Sequence, residues 1–108
     1  MKIYGLKNCD SCRAAIKSLS AVGREITFVD VRADGVPSKE LAFFYKMFGD
    51  ALVNTRSTTW RGLSEAERAS DPLELMAVHP SLMKRPVVQD GDTCTLGWAK
   101  LSQEIWGL

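Results

Sequence analysis

Residues 4–13 constrain the possible folds of this chain more than any other segment does. A short apolar start over residues 1–4, typical of a strand, runs through Gly5 into a loop that contains Cys9 and Cys12 in a Cys-x-x-Cys spacing. A helical pattern of apolar residues follows directly, at Ala14, Ala15, Ile16, Leu19 and Val22. This order of strand, loop, cysteine pair and helix predicts that Cys9 lies where a helix begins.

Such a position favours a reactive thiolate at Cys9. The unpaired backbone N–H groups at the start of a helix, and the positive end of its dipole, favour negative charge. Arg13, one turn further on, and Lys7, just before the motif, add positive charge, so we expect a lowered pKa at Cys9. Cys12 would lie close enough to resolve a mixed disulfide by attacking Cys9. Cys9 and Cys12 are therefore the catalytic candidates, and Arg13 is a candidate for holding the substrate.

A zinc site, or a pair of inert thiols, is the alternative interpretation of this spacing. A zinc site usually needs four ligands, and only Cys94 and His79 remain, without a second paired motif. A redox or nucleophilic role is therefore favoured, and we expect no metal and no bound cofactor.

Composition and charge argue against several other classes. The 108 residues suffice for one domain, and 45% apolar with 25% charged residues is typical of a soluble globular protein. A net charge of +1 gives no case for nucleic acid or an acidic membrane surface, and no apolar run approaches a membrane span. The start does not resemble a signal peptide, so we expect a cytoplasmic protein. There, three cysteines indicate catalysis or redox activity rather than structural disulfides.

The chain then alternates between strand and helix signals. Gly23 is expected to end the first helix, and residues 25–32 alternate apolar and polar side chains as a strand does. Strand, helix and strand make a βαβ unit with parallel pairing. Ser38 is expected to cap a second helix that Gly49 ends. The apolar face of that helix would carry Leu41, Phe44, Tyr45 and Phe48.

The middle of the chain predicts a loop and then short helices. Residues 50–61 show no clear period and are expected to form a loop. The capping-box pattern of Ser64 and Glu67 predicts a helix over roughly residues 64–69, and Asp71 followed by Pro72 predicts another over residues 72–78.

The last third predicts a hairpin and a closing helix. Residues 86–96 form two strand patterns around an Asp-Gly turn, and residues 98–106 form a helix with Leu101, Ile105 and Trp106 on one side. The order β-α-β-α-helices-β-β-α is that of an α/β, thioredoxin-like fold. We expect a single domain with a four-stranded mixed sheet flanked by helices, and a helical insertion at about residues 50–82 before the third strand.

Three segments give the chain a resemblance to a known family. They are residues 3–13, residues 54–61 and residues 80–88, and together they span nearly the whole chain. With these segments the chain resembles the ArsC/Spx family of thioredoxin-fold proteins. That family holds glutaredoxin-linked arsenate reductases, Spx-type regulators that bind RNA polymerase, and a YffB-like group of thiol reductases.

The resemblance implies roles for individual residues. It places the nucleophilic cysteine at Cys9 and anion-binding arginines at Arg56 and Arg85. Guanidinium groups offer a fork of donors to an oxyanion or to a carboxylate of a glutathione-like thiol, and their charge stabilises a thiolate. Pro86 matches the proline before the third strand, which implies a cis Arg85–Pro86 peptide bond and a place for Pro86 in substrate binding.

Two departures from the arsenate reductases bear on the substrate. Those enzymes carry a further arginine just after the last strand, where this chain has Gly97 and Trp98. They also commonly have a single cysteine in the active loop, whereas Cys12 here supplies an internal partner. The glycine followed by an aromatic residue is closer to the YffB-like pattern.

The resemblance therefore implies a thiol-dependent reductase. Cys9 would attack a mixed disulfide or an oxyanion such as arsenate, and Cys12 would resolve the adduct at the expense of glutathione, glutaredoxin or thioredoxin. The alternative is an Spx-type redox-switched regulator that binds the RNA polymerase alpha subunit. A third possibility is a thioredoxin-fold protein whose thiols have no regular substrate. We expect a monomer with neither direct nucleic-acid binding nor membrane binding.

Overall fold

The computed structural model describes residues 1–108, which divide into two compact units. The first unit contains Met1–Asp34 and Arg85–Leu108, and the second contains Gly35–Lys84. The predicted helical insertion at about residues 50–82 lies within the second unit, and the assignment of a single domain stays a prediction. None of the helices has both the length and the apolar character that a membrane crossing requires.

Four strands form one mixed sheet in the first unit. They are β1 (Lys2–Gly5), β2 (Thr27–Asp30), β3 (Val87–Asp90) and β4 (Thr93–Leu96), in the order β2-β1-β3-β4. β1 pairs with β2 in parallel, while β3 pairs antiparallel with both β1 and β4. Helix α1 (Asp10–Ala21) joins the two parallel strands, as the βαβ pattern predicts. The predicted four-stranded mixed sheet and its terminal hairpin are confirmed.

Strand β2 is shorter than the residues 25–32 predicted for it, because the chain turns directly after Asp30. One oxygen of the Asp30 carboxylate, Oδ1, accepts hydrogen bonds from the backbone N–H groups of Arg32 at 2.9 Å and Ala33 at 3.0 Å. A side chain that binds backbone groups two and three residues ahead stabilises a turn instead of a continued strand.

One face of the sheet and one face of α1 form the core of the first unit. The fully or almost fully buried members are Ile3, Ala15, Leu19, Val88 and Trp106. Ala15 and Leu19 are four residues apart on α1 and therefore share a face, which explains why the helical pattern was readable in the sequence. Burying apolar side chains of this size is the main contribution to stability here.

The closing helix α6 (Lys100–Ile105) has a different buried side from the predicted one. Leu101 and Ile105 are 75% and 60% exposed, so their assignment to the buried side is wrong, whereas Ser102 and Trp106 are buried. The indole N–H of Trp106 donates to Thr95 Oγ1 at 2.8 Å, and Ser102 Oγ donates to the Leu96 carbonyl at 3.2 Å. These bonds to β4 fix the rotation of the helix, and they turn its leucine and isoleucine outward.

The second unit is helical. It contains α2 (Ser38–Phe48), α3 (Thr58–Arg61), α4 (Glu65–Arg68) and α5 (Pro72–Val78), together with 3₁₀ helices at Gly49–Leu52 and Pro80–Leu82. α4 begins with the predicted capping box, in which Ser64 and Glu67 satisfy each other's backbone N–H groups. Asp71 caps α5 by accepting from the Leu73 N–H, as predicted. The two short helices and the end of α2 at Gly49 are confirmed.

Two expectations for the second unit need correction. The residue that precedes α2 is Pro37, whose carbonyl accepts from the Leu41 N–H, and Ser38 is the first helical residue without a capping hydrogen bond. Residues 50–61 are not all loop, because they contain most of a 3₁₀ helix and the whole of α3. Ser57 caps α3, because its side chain accepts a hydrogen bond from the Trp60 N–H at 3.1 Å. A capping serine is a local signal for the start of a helix, but here it lies in a polar segment that resembles a loop.

Candidate active site around Cys9

Cys9 occupies the cap position of α1, where the sequence placed it. Its backbone is extended, with φ −92° and ψ 121°, and its carbonyl accepts the first helical hydrogen bond from the Arg13 N–H at 3.0 Å. Its own N–H donates to the Leu6 carbonyl at 3.2 Å, which folds the preceding loop back on itself. Its side chain is partly exposed and is a free thiol. Cys9 is therefore available to a ligand at the positive end of a helix.

Cys12 lies in the first turn of α1 and is completely buried. Its position depends on Gly5, the last residue of β1, because a Cβ placed on Gly5 would collide with the Cys12 sulfur. The sequence suggested Gly5 only as a strand end, and nothing in the spacing of the motif shows that the sulfur of Cys12 packs there.

The two thiols differ sharply in acidity. Burial raises the pKa of Cys9, but hydrogen bonds from the backbone N–H and the thiol of Cys12, a hydrogen bond from Arg85 and the Arg85 charge outweigh it, so that the pKa lies below its ordinary value. Burial raises the pKa of Cys12 to about 12, and the neighbouring Cys9 adds to the rise. At neutral pH the proton therefore stays on Cys12, and Cys9 is the more acidic thiol of the pair.

Arg85 is the arginine that the structure places beside Cys9. It is half-buried and is joined to Pro86 by a cis peptide bond, which confirms the expectation from the family resemblance. Pro86 is buried and directly precedes β3, and its carbonyl accepts from the Gly97 N–H at 2.8 Å. β3 pairs with β1, the strand that leads to Cys9, so Arg85 enters the site at the start of the neighbouring strand.

Arg13 has another partner. Its guanidinium forms an ion pair with the Asp10 carboxylate, and the side chains of Arg13 and Asp10 are 62% and 95% exposed. Asp10 is the first residue of α1 and does not cap it. Opposite charges three residues apart on a helix favour an ion pair, so the sequence already contained a signal for the pairing of Arg13 with Asp10. The role of Arg13 in substrate binding stays a prediction.

Arg56 lies in the second unit, on an exposed loop before α3. Its backbone N–H donates to Asn54 Oδ1 at 3.1 Å, and its side chain borders a pocket of about 250 Å³ that Thr55 and Lys84 also line. Two cations at one pocket fit an anionic ligand. A role for Arg56 at Cys9 stays a prediction.

A second set of polar residues lies near Cys9, and the sequence motifs did not indicate it. The loop that leads from β1 to Cys9 borders a pocket of about 300 Å³ together with the turn that follows β2. Parallel pairing of β1 and β2 brings these two loops to the same edge of the sheet, a signal that the βαβ pattern already contained. Nowhere do three or more His, Cys, Asp or Glu side chains lie close enough together to hold a metal ion.

The chain is similar to known proteins in sequence and in structure. A family model described as the ArsC family matches residues 4–103. A Haemophilus influenzae protein described as uncharacterized is 42% identical over 95 residues, which cover 82% of this chain and 83% of the relative. The uncharacterized protein YusI of Bacillus subtilis is 34% identical over 107 residues, covering 91% of this chain and 90% of the relative.

Two solved structures resemble this one over almost their full length. One is described as the YFFB protein, with a TM-score of 0.88, 29% identity and coverage of 96% of both chains. The other is an arsenate reductase (ArsC) related protein from Brucella melitensis, with a TM-score of 0.72, 33% identity and coverage of 98% of this chain and 92% of that one. The chain therefore belongs to the ArsC family of proteins with a thioredoxin-like fold.

Proposed function

We propose that the protein is a thiol-disulfide oxidoreductase in which Cys9 attacks a mixed disulfide. One observation carries this proposal: two thiols three residues apart have opposite pKa shifts, lowered at Cys9 and raised to about 12 at Cys12. An attacking group needs to be a thiolate at neutral pH, and a resolving group needs to keep its proton until an adduct has formed.

The reaction has two exchange steps. The Cys9 thiolate attacks one sulfur of the substrate disulfide, the S–S bond breaks, and the departing thiol leaves as a thiolate that takes a proton from water. Cys12 then loses its proton, attacks the Cys9 sulfur and releases the second thiol, which leaves a Cys9–Cys12 disulfide. An external reductant supplies the two electrons that reopen this disulfide. We propose glutathione, glutaredoxin or thioredoxin for that step.

Arg85 supports the first step in two ways. It lowers the pKa of Cys9 through a hydrogen bond and through its charge, and a guanidinium beside the attacked sulfur stabilises the thiolate that departs. Arg56, Arg13 and Pro86 complete the proposed substrate-binding set, with the arginines holding anionic groups of the substrate.

The relatives support a thiol-dependent reductase, since one of the solved structures resembling this chain is described as arsenate reductase related. Arsenate is the second candidate substrate. The place of the additional arginine of arsenate reductases holds Trp98 here, which packs against the buried core cluster of the first unit. A side chain used in this way offers no positive charge to an oxyanion, and this favours a disulfide substrate.

A coupled assay tests the proposal. NADPH consumption is followed with glutathione reductase, glutathione and glutaredoxin, and the substrate is a glutathione mixed disulfide or arsenate. We expect turnover with the mixed disulfide for the wild type, background rates for Cys9→Ser, and wild-type rates for the matched control Cys94→Ser, which alters a cysteine on β4.

Three other outcomes are informative. Unchanged turnover in Cys9→Ser would contradict the proposal. Turnover with arsenate would extend the substrate class to oxyanions. Absence of turnover, in protein that still closes the Cys9–Cys12 disulfide, would favour the redox-switched regulator, and redox-dependent capture of the RNA polymerase alpha subunit would then be the next measurement.

A further inference from the structure

A pocket in the second unit takes no part in the proposed reaction. Its volume is about 300 Å³, and all of its lining residues belong to Gly35–Lys84, so it contains neither cysteine of the catalytic pair. Pockets of this volume are at the small end of those that bind small molecules, and such pockets have mostly apolar walls with a few polar groups. The apolar part of the wall consists of Val53, Trp60, Pro72 and Leu75.

Two opposite charges border this pocket without pairing with each other. Asp50 and Arg68 both line it, and both side chains are exposed. The two ion pairs of the protein lie in the first unit, so neither Asp50 nor Arg68 has an oppositely charged partner there or in its own unit. The pocket therefore offers one negative and one positive group to a ligand.

Each of these two charges is held in place by hydrogen bonds within the second unit. The Tyr45 hydroxyl donates to Asp50 Oδ1 at 2.6 Å, and this bond to the carboxylate raises the pKa of Tyr45. Arg68 donates from Nε to the Trp60 carbonyl at 3.2 Å and from Nη2 to the Arg61 carbonyl at 3.1 Å. Its guanidinium also lies 5.7 Å from the centre of the Trp60 ring. Asp50 Oδ2 and Arg68 Nη1 remain for a ligand, and groups that are already fixed lose less entropy when a ligand binds.

We propose that this pocket binds a free amino acid with an apolar side chain. Asp50 binds the ammonium group, Arg68 binds the carboxylate, and the side chain is buried against Trp60 and Leu75. A free amino acid carries both charges on the carbon atom that bears its side chain, which suits a small apolar pocket with one acid and one base at its border. A residue at the end of a peptide has only one of the two charges and would leave Asp50 or Arg68 without a counterion. This binding is independent of the thiol chemistry at Cys9.

Nuclear magnetic resonance of the whole isotope-labelled protein tests the proposal, because each tryptophan gives one indole N–H signal. Trp60 lines the pocket, and the loss of one signal in Trp60→Phe assigns it. Trp106 donates its indole N–H to Thr95 in the first unit and serves as the internal reference. L-leucine is titrated and compared with three analogues: L-leucinamide lacks the carboxylate, N-acetyl-L-leucine lacks the ammonium group, and glycine lacks the side chain.

We expect leucine to shift the Trp60 signal in a saturable way while the Trp106 signal stays in place. The dissociation constant should be about fivefold higher for each singly charged analogue, as for the loss of one partly exposed charge contact, and more than about tenfold higher for glycine. Leucinamide or N-acetyl-L-leucine binding as tightly as leucine would overturn the proposal, because the pocket would then accept the end of a peptide. Glycine binding as tightly as leucine, or a Trp60 shift that does not saturate, would also overturn it.

A variant of the acid provides the matched test on the protein. Asp50→Asn should weaken the binding of leucine about fivefold and leave that of N-acetyl-L-leucine, which has no ammonium group, within about twofold. The control Glu74→Gln neutralises an exposed acid on α5 outside the pocket lining and should keep both dissociation constants. An unchanged Trp106 signal shows that each variant is folded. An equal loss with both ligands in Asp50→Asn, or an equal loss of leucine binding in both variants, would overturn the proposal.

Discussion

The cap position of α1 and its first turn present the same chemical group, a thiol, in opposite states. Cys9 at the start is partly exposed, has a lowered pKa and receives hydrogen bonds from Cys12 and Arg85. Cys12, one turn further, has no exposed surface and a pKa raised to about 12. The difference shows that the spacing of a cysteine pair does not decide which thiol reacts. Position on the helix and contact with neighbouring elements decide it, and three predictions test this contrast.

The largest expected effect is in alkylation of the two thiols. An ordinary thiol is ionised to a few per cent at pH 7, whereas one with a pKa of about 12 is ionised to roughly one part in 10⁵. Because the thiolate of a weaker acid is intrinsically more nucleophilic, we expect Cys9 to react at least about a hundredfold faster than Cys12, and burial adds to this ratio. Mass spectrometry of iodoacetamide-treated Cys94→Ser protein measures it. In denaturant the two rates should become similar, and similar rates in the folded protein would refute the contrast.

The second prediction disturbs the buried thiol through the strand beside it. Gly5→Ala places a methyl group where the Cys12 sulfur lies, and the contact is with a side chain in the first turn of α1. Overpacking of this kind should lower the free energy of unfolding by about 2 kcal/mol. Urea denaturation measures the change.

Gly62→Ala is the matched control for this substitution. A Cβ there has its nearest neighbours at 3.5 and 3.6 Å, which is ordinary contact, and the backbone is in the helical region. We expect the control to keep the wild-type stability within about 1 kcal/mol. Equal stability of both variants would mean that Cys12 has room to move.

The smallest expected effect concerns the charge beside the exposed thiol. Arg85→Gln removes a hydrogen bond and a positive charge that lower the pKa of Cys9, so that pKa should rise. The thiolate forms as the pH rises through the pKa, and the midpoint of the alkylation profile should therefore move to higher pH. At pH 7 the alkylation rate should fall roughly tenfold, and at high pH it should recover.

The control for this substitution is Lys17→Gln, which removes a charge on the exposed side of α1 and should leave the midpoint unchanged. An unchanged midpoint in Arg85→Gln would mean that Arg85 does not act on the Cys9 thiol.

The elements that the sequence predicted correctly are those whose signals lie in neighbouring residues. The hairpin, the βαβ unit, the capping box of α4 and the place of Cys9 at the start of α1 each depend on neighbouring residues, and all are present. The cis peptide bond before Pro86 came from family resemblance, because a proline alone does not indicate a cis bond.

The remaining features depend on contacts between distant parts of the chain. The buried side of α6 is chosen by bonds from Trp106 and Ser102 to β4, so the apolar character of Leu101 and Ile105 pointed to the wrong face. The position of Cys12 against Gly5, and the approach of Arg85 to Cys9, likewise bring together residues that no short sequence pattern connects.

The complete burial of Cys12 has a kinetic consequence for the proposed reaction. A thiol that holds its proton to about pH 12 and has no exposed surface attacks slowly, so an adduct on the accessible Cys9 persists before it is resolved. During that lifetime a thiol from solution competes with Cys12 for the same sulfur. In the proposed reaction, the concentration of external thiol would then set how much of the flux passes through the internal disulfide and how much bypasses it. The same chain would act as a dithiol reductase at low thiol concentration and as a monothiol reductase at high thiol concentration.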